Sequence, residues 1–340
     1  MNKNQIKNKV LLYLFSSIFT ITGCVHKTKQ ENSSKKIIET EQLKTTKAKD
    51  EIRKEEDVIT IWVHGTRSSD FVHNYVLKKL LYRKVGLHSA KSYDKTYNRR
   101  KIAQQLSDQN TMRFVFENFY YFGWSGKLNH KKRRTAATKL HKAISELIKK
   151  YKIKHSIEPK IRLITHSHGG NVALCLAKIN AKTIDSIKIH ELILLACPVQ
   201  KKTAKLTKNE MFENIYSLYS GIDILQIIDP QGLKMLQKYK PRKPFFSQRK
   251  FEPQKNLSQV KIKVNGRGIL HLEFLLSKFI SSLPHILDEI DDWNKRDAIN
   301  PHAHKKNRLL KICVKNDAIS FERKILKTKL VHATDIENIK

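Results

Sequence analysis

The stretch Arg162-Leu163-Ile164-Thr165-His166-Ser167-His168-Gly169-Gly170-Asn171-Val172-Ala173-Leu174 constrains the fold of this chain more than any other. An apolar run leads into a Ser set between two His, two Gly follow, and apolar residues then recur at helical spacing. Such a pattern reads as a strand that turns abruptly into a helix, with Ser167 at the corner. A corner of this kind lifts a hydroxyl clear of the backbone only where the residues two before and two after it are small, because strand and helix nearly touch there. Gly169 meets that demand fully, and Thr165 meets it in part. A helix beginning at His168 aims its unsatisfied N–H groups and its positive dipole end at whatever Ser167 attacks, which suits a developing oxyanion. Residues beside a sharp turn point away from its tip, so His166 is expected to pack beside the sheet and His168 to offer its backbone N–H. Taken alone, the pattern is equally that of a turn with a capping Ser and a packing Gly, and the rest of the chain has to decide.

The flanking segments supply an α/β order. Val58-Ile59-Thr60-Ile61-Trp62-Val63 is a β-branched run long enough to cross a sheet buried on both faces, and it ends in His64-Gly65-Thr66. Arg113 to Phe116 and Phe119 to Phe122 read together as a strand closed by Gly123-Trp124-Ser125-Gly126. From about Lys131, residues Ala136, Leu140, Ala143, Ile144, Leu147, Ile148 and Tyr151 fall at spacings of three and four. That spacing predicts an amphipathic helix directly before the corner strand, as a strand–helix–strand crossover requires. Beyond the corner, Val172, Ala173, Cys175 and Leu176 are expected in the core, which makes Cys175 a packing residue. Ile187 to Ala196 reads as a further buried strand. Ile215 to Tyr219 is a short one that leads into Ser220-Gly221-Ile222-Asp223. Val260 to Val264 alternates as a last strand, and the loop Asn265 to His271 ends in a histidine at the start of a predicted helix, Leu272 to Leu283.

These residues resemble the α/β-hydrolase superfamily, in particular its lipase- and esterase-like serine hydrolases, over roughly residues 58 to 282. The resemblance implies a single α/β domain with a mostly parallel sheet flanked by helices on both faces. It also implies a triad in the chain order Ser167, Asp223, His271, which is this superfamily's order and not that of other serine hydrolase folds. Asp229 before Pro230 and His285 after Pro284 stand as alternates for the acid and the base. His64-Gly65 resembles the oxyanion loop, so the N–H groups of Thr66 and His168 are expected to share the oxyanion. A base near a helix N-terminus would have its charged form disfavoured and stay ready to accept a proton. The implied activity is cleavage of a carboxylic ester through an acyl-enzyme, with no cofactor. Thr165 departs from the family's usual glycine. Residues 68–112 are an insertion, read as a surface loop or a lid, with Phe71, Val72, Tyr75, Val76, Leu80 and Leu81 on one helical face and a polar run after them. Residues 283–340 form a basic C-terminal extension in which Leu309 to Val314 and Ile319 to Leu330 are expected to add strands or a helix.

Residues 1–23 carry Lys3, Lys7 and Lys9 and then an apolar run too short for a stable membrane span. The end of that run, Ile21-Thr22-Gly23-Cys24, looks like a bacterial lipobox. It implies removal of a signal peptide and lipidation of Cys24, followed by a flexible charged tether over 24–57. The expected location is therefore the cell envelope, anchored by acyl chains, with Val25 leaving the outer membrane open. The formal charge of +36 fits an anionic envelope surface, codon bias or nucleic acid. Basic residues are scattered, and the aromatics Tyr239, Phe245, Phe246 and Phe251 among Lys238 to Lys250 read as anchors of a solvated loop, so nucleic acid is not expected. The four cysteines, Cys24, Cys175, Cys197 and Cys313, form no C-x-x-C pair, and His302-Ala303-His304 lies in a polar stretch. No metal site is expected. The rival reading is a non-catalytic surface lipoprotein of the same fold that binds anionic envelope or host components.

Overall fold

The corner strand stands near the middle of a broad twisted sheet. The computed structural model describes residues 57–66, 84–227, 247–298, 307–315 and 318–326, all of them within one compact unit. Among these residues the strands are β1 (Val58–Val63), β2 (Gly86–Ser89), β3 (Phe119–Gly123), β4 (Lys160–His166), β5 (Ile189–Leu195), β6 (Phe212–Tyr219), β7 (Leu257–Val264), β8 (Arg267–Gly268), β9 (Asn307–Lys315) and β10 (Ala318–Leu326). Their order across the sheet is β10-β9-β7-β6-β5-β4-β1-β3-β2, with β8 paired to β7. The run from β9 through β7, β6, β5, β4 and β1 to β3 is parallel. Antiparallel pairing is confined to β2, β8 and β10. The architecture is thus the mostly parallel α/β sheet that the sequence implied.

Interior strands of a parallel sheet are covered on both faces, which explains why β1 and β4 read as near-continuous apolar runs. Ile59, Ile61, Val63 and Leu163 face one layer, where they meet α2 (His130–His155) and α3 (His168–Asn180) through Ala136, Leu140, Ile144, Val172 and Leu176. Trp62, Ile164, Ile193 and Leu218 face the other. There α1 (Asn98–Gln109) contributes Ile102 and Leu106, and α4 (Ser277–Ala298) contributes Ile280, Leu283, Leu287 and Ile290. Each buried Val, Leu or Ile among them stabilises the fold by about 1.5–3 kcal/mol. Helix α2 starts where Asn129 accepts the Lys131 and Lys132 N–H groups, and it ends with Ser156 in a left-handed conformation at φ 59°.

Four expectations change. The polar run within residues 68–112 is no simple loop, because its part Asn98–Gln109 is α1, with Arg99, Ile102, Ala103 and Leu106 buried. These four positions make one helical stripe whose signal is masked by the charged face opposite. Arg113, Phe114 and Val115 are not strand; Phe116–Asn118 is a 3-10 turn and the strand is Phe119–Gly123 alone. Phe114 and Phe116 are still buried, as anchors from irregular chain. His271 opens a 3-10 turn, His271–Leu275, and not an α-helix. The helix proper is α4, which runs through Pro284 instead of stopping before it. A proline inside a helix costs about 3 kcal/mol, and burial of Phe279, Ile280, Leu283, Ile286, Leu287 and Ile290 offsets it. The expected break after residue 282 therefore falls within α4, and β9 and β10 extend the same sheet beside β7.

Cys24, the signal and tether segments up to residue 56, Phe71 to Leu81, Asp229, Tyr239, Phe245, Phe246, His302 and His304 lie outside the described residues. Among the described residues no helix is long and apolar enough to cross a membrane.

Candidate active site

The chemistry-bearing residues gather where the parallel strands end at their C-terminal edge, the usual ligand side of such a sheet. Ser167 follows β4 and precedes α3, with φ 54° and ψ −131°. For a non-glycine residue this conformation costs on the order of 1–3 kcal/mol, and such strain is characteristic of functional corners. The hydroxyl caps nothing in α3. Close approach at the corner explains its glycines: a Cβ at Gly169 would lie 2.5 Å from the Val63 carbonyl oxygen, and one at Gly65 would lie 2.8 Å from Ser167 Cβ. Thr165 is tolerated because its hydroxyl donates to the Ile193 carbonyl on β5 at 3.0 Å.

Asp223 and His271, 48 positions apart, meet at 2.8 Å between Oδ2 and Nδ1. Both are buried, Asp223 almost completely. The other carboxylate oxygen of Asp223 accepts the Gln226 backbone N–H at 3.1 Å, and its carbonyl accepts from Arg249 Nη2 at 2.9 Å. Gln226 in turn donates through Nε2 to the Cys197 carbonyl at the end of β5. The His271 loop is pinned separately, since Glu273 accepts the Leu270 N–H at 2.6 Å and pairs with Arg267. His271 thus sits at the start of a short 3-10 turn, and not at the N-terminus of a long helix that was expected to disfavour its charged form.

His166 departs from its expected role of packing beside the sheet. Its Nε2 bonds the His271 carbonyl oxygen at 2.9 Å, and the two rings lie 4.7 Å apart at 54°. The residue immediately before Ser167 therefore touches His271 directly. His285, the alternate candidate for the base, faces Gln109 on α1.

On the side where the sequence placed the oxyanion loop, His64 ties the end of β1 to the end of β3. Its Nδ1–H donates to the Gly65 carbonyl at 2.7 Å, its Nε2 accepts the Trp124 N–H at 3.0 Å, and Trp124 Nε1 donates back to the His64 carbonyl at 2.8 Å. This clamp holds Gly65 and Thr66 against the corner. Thr66 Oγ1 is buried with no partner among the described residues. The N–H of His168 belongs to the first turn of α3, where the helix itself leaves it unbonded. The His168 side chain turns into a buried polar group with Arg133, Asn171 and Gln200. Burial first, then the charges of Arg133 and His271, hold its pKa well below the ordinary imidazole value. Sequence reading places Arg133 in a basic run, yet it is 1% exposed. Its position three before Ala136 and seven before Leu140, on the apolar stripe of α2, was the available signal.

Residues 82–226 match a family model described as a PGAP1-like alpha/beta domain. No curated protein matches the chain. Among solved structures it is similar to an esterase of the fungus Rhizomucor miehei, at 10% identity and TM-score 0.37, over 71% of this chain and 76% of that one. It is similar to carboxyl esterase 2 of the mycorrhizal fungus Tuber melanosporum, at 8% identity and TM-score 0.36, over 70% and 76%. A third is an alpha/beta hydrolase superfamily protein of Enterococcus faecalis, at 9% identity and TM-score 0.30, over 71% and 92%. The chain itself has a mostly parallel α/β sheet with the serine corner at its centre.

Proposed function

We propose that this chain is a serine hydrolase of carboxylic esters, working through an acyl-enzyme on Ser167. The observation that carries the reading is the buried Asp223–His271 pair at 2.8 Å, set against the two residues that flank the strained serine. With Nδ1 engaged by Asp223, the His271 proton sits there and Nε2 is the free base. His271 takes the Ser167 proton as the hydroxyl attacks the ester carbonyl, and Asp223 steadies the imidazolium that results. The N–H groups of Thr66 and His168 receive the oxyanion, the alcohol leaves with the proton from His271, and water repeats the sequence to release the acid.

Lipid esters are the favoured substrate class. Ile222 and Ile224, each 46% exposed, and Leu225, 37% exposed, flank Asp223, and Leu276, 48% exposed, follows the His271 turn. Exposed apolar side chains next to Asp223 and to the His271 turn in the chain suit acyl chains, and a formal charge of +36 suits an anionic bilayer. The lipobox ending in Cys24 supports the same location, with the enzyme held at the envelope by its own acyl chains. A fluorophosphonate probe should label the full chain at Ser167, and nitrophenyl butyrate should be hydrolysed. An intact fold that neither labels nor hydrolyses would leave the non-catalytic binder. Incorporation of a palmitate analogue that disappears in Cys24→Ala tests the anchor.

A further inference from the structure

The His168 side chain has a task that its backbone N–H does not cover. Two groups face its Nδ1, and both are donors. Arg133 Nη1 lies 3.4 Å away, and Nη2 of the same guanidinium donates to Gln200 Oε1 at 2.8 Å; an arginine has no acceptor to offer. Asn171 Nδ2 also lies 3.4 Å from Nδ1. The orientation of that amide is decided at both ends, because Oδ1 accepts from the Thr203 hydroxyl and Nδ2 donates to the Pro198 carbonyl at 2.9 Å. With only donors before it, Nδ1 must accept, and the ring proton is left on Nε2.

Nε2 has no hydrogen-bond partner among the described residues. Nε2 is not one of the fully buried atoms that lack a partner, so it is open to a ligand while the ring as a whole is buried, and the residue beside Ser167 is where an ester would arrive. We propose that the His168 side chain is a further donor of the site, presenting Nε2–H to an acceptor oxygen of the ester bound at Ser167. This rests on the serine-hydrolase reading above. Arg133 and Asn171 are then positioning residues, since they decide which nitrogen carries the proton. Charge works in the same direction: protonating His168 would set a cation against the Arg133 guanidinium, so the ring stays neutral while its neighbour His271 takes up and returns the reaction's proton. A neutral donor does not repel the imidazolium that forms beside it.

The test uses the full chain with 15N-labelled histidine. The His168 signal, assigned by its loss in His168→Gln, should show a bare Nδ1 and a protonated Nε2 throughout about pH 5 to 8. In parallel, His168→Leu should lower both nitrophenyl ester turnover and fluorophosphonate labelling by on the order of 10- to 100-fold. His168→Gln, whose amide N–H reaches about as far as imidazole Nε2, should stay within about threefold of the parent, since it restores one donor of similar strength. The tautomer is read on the unaltered protein, so a poorly folding variant does not remove the test. An Nδ1–H tautomer, or a His168→Leu variant that labels at the parental rate, overturns this proposal alone. Failure of the unaltered protein to label overturns the serine reading and this proposal with it.

Discussion

The two ends of the central strands bury polar groups in opposite ways. At the C-terminal end, the Asp223–His271 pair lies beside the corner that carries Ser167, whose hydroxyl caps nothing in α3. Toward the N-terminal end, Arg113, Arg162, Glu191, Asp288, Asp291 and Tyr216 form a network of ion pairs and hydrogen bonds. Arg162 pairs with Glu191 and donates to the Arg113 carbonyl. Arg113 pairs with Glu191 at 2.9 Å, Asp288 at 2.8 Å and Asp291 at 2.7 Å, and the Tyr216 hydroxyl donates to Asp291 at 2.6 Å. Every charge there meets an opposite one, and Arg162 also lies over the Phe114 ring. The ion-paired network holds elements together, here α4 against β4, β5 and β6. The Asp223–His271 pair holds no elements by ion pairs of this kind and leaves a ring nitrogen of His271 uncommitted.

The contrast predicts that variants at the two ends fail in different assays. Ser167→Ala should reduce ester turnover by roughly ten-thousand-fold or more while leaving the melting temperature unchanged or slightly higher, since the side chain anchors nothing. Asp223→Asn should cost about a thousand- to ten-thousand-fold in kcat, by releasing the His271 tautomer, with KM little changed. At the other end, removing Glu191 leaves the buried Arg162 guanidinium without its carboxylate, while Arg113 keeps Asp288 and Asp291. Glu191→Ala should therefore lose about 3–5 kcal/mol in denaturant unfolding, with the turnover of the remaining folded protein near the parental value. If Glu191→Ala instead abolished turnover in a stable protein, the division between the two ends would not hold.

The smallest expected effect is in pH. Burial would raise the Glu191 pKa, but Arg162 and Arg113 outweigh it and hold it below the ordinary value of 4.5. A carboxylate depressed in the folded state contributes stability that is fully present above its unfolded pKa and is lost as pH falls through the folded value. The parent should therefore show a fall in unfolding free energy below about pH 4.5, and Glu191→Gln should flatten that limb. Unchanged slopes in the two proteins would remove Glu191 as a source of acid sensitivity.

Legibility in the sequence followed distance along the chain. The corner was readable because the glycine that permits the close approach lies two residues from the serine, and the candidate acid and base were readable because each ends a recognisable strand or loop. Helix α1 was hidden by its polar face, and the 3-10 turn at His271 by an apolar spacing that fits either helix. Arg133, His166 and Asn171 carried no local sign of their contacts, because those contacts are made with α3, β5 and the His271 loop. The network at Glu191 was illegible for the same reason: its members come from five separate segments.

By itself the sequence decided the backbone at Ser167, since conformation there depends on sterics among a handful of neighbouring residues, and it decided which reactive groups the chain possesses. Only the tertiary structure decided that Asp223 meets His271, that His168 is kept neutral with its proton on Nε2, and that Arg162 is matched by Glu191. Protonation and pairing depend on which groups packing brings within a few ångströms and shuts away from water, and no local pattern encodes that.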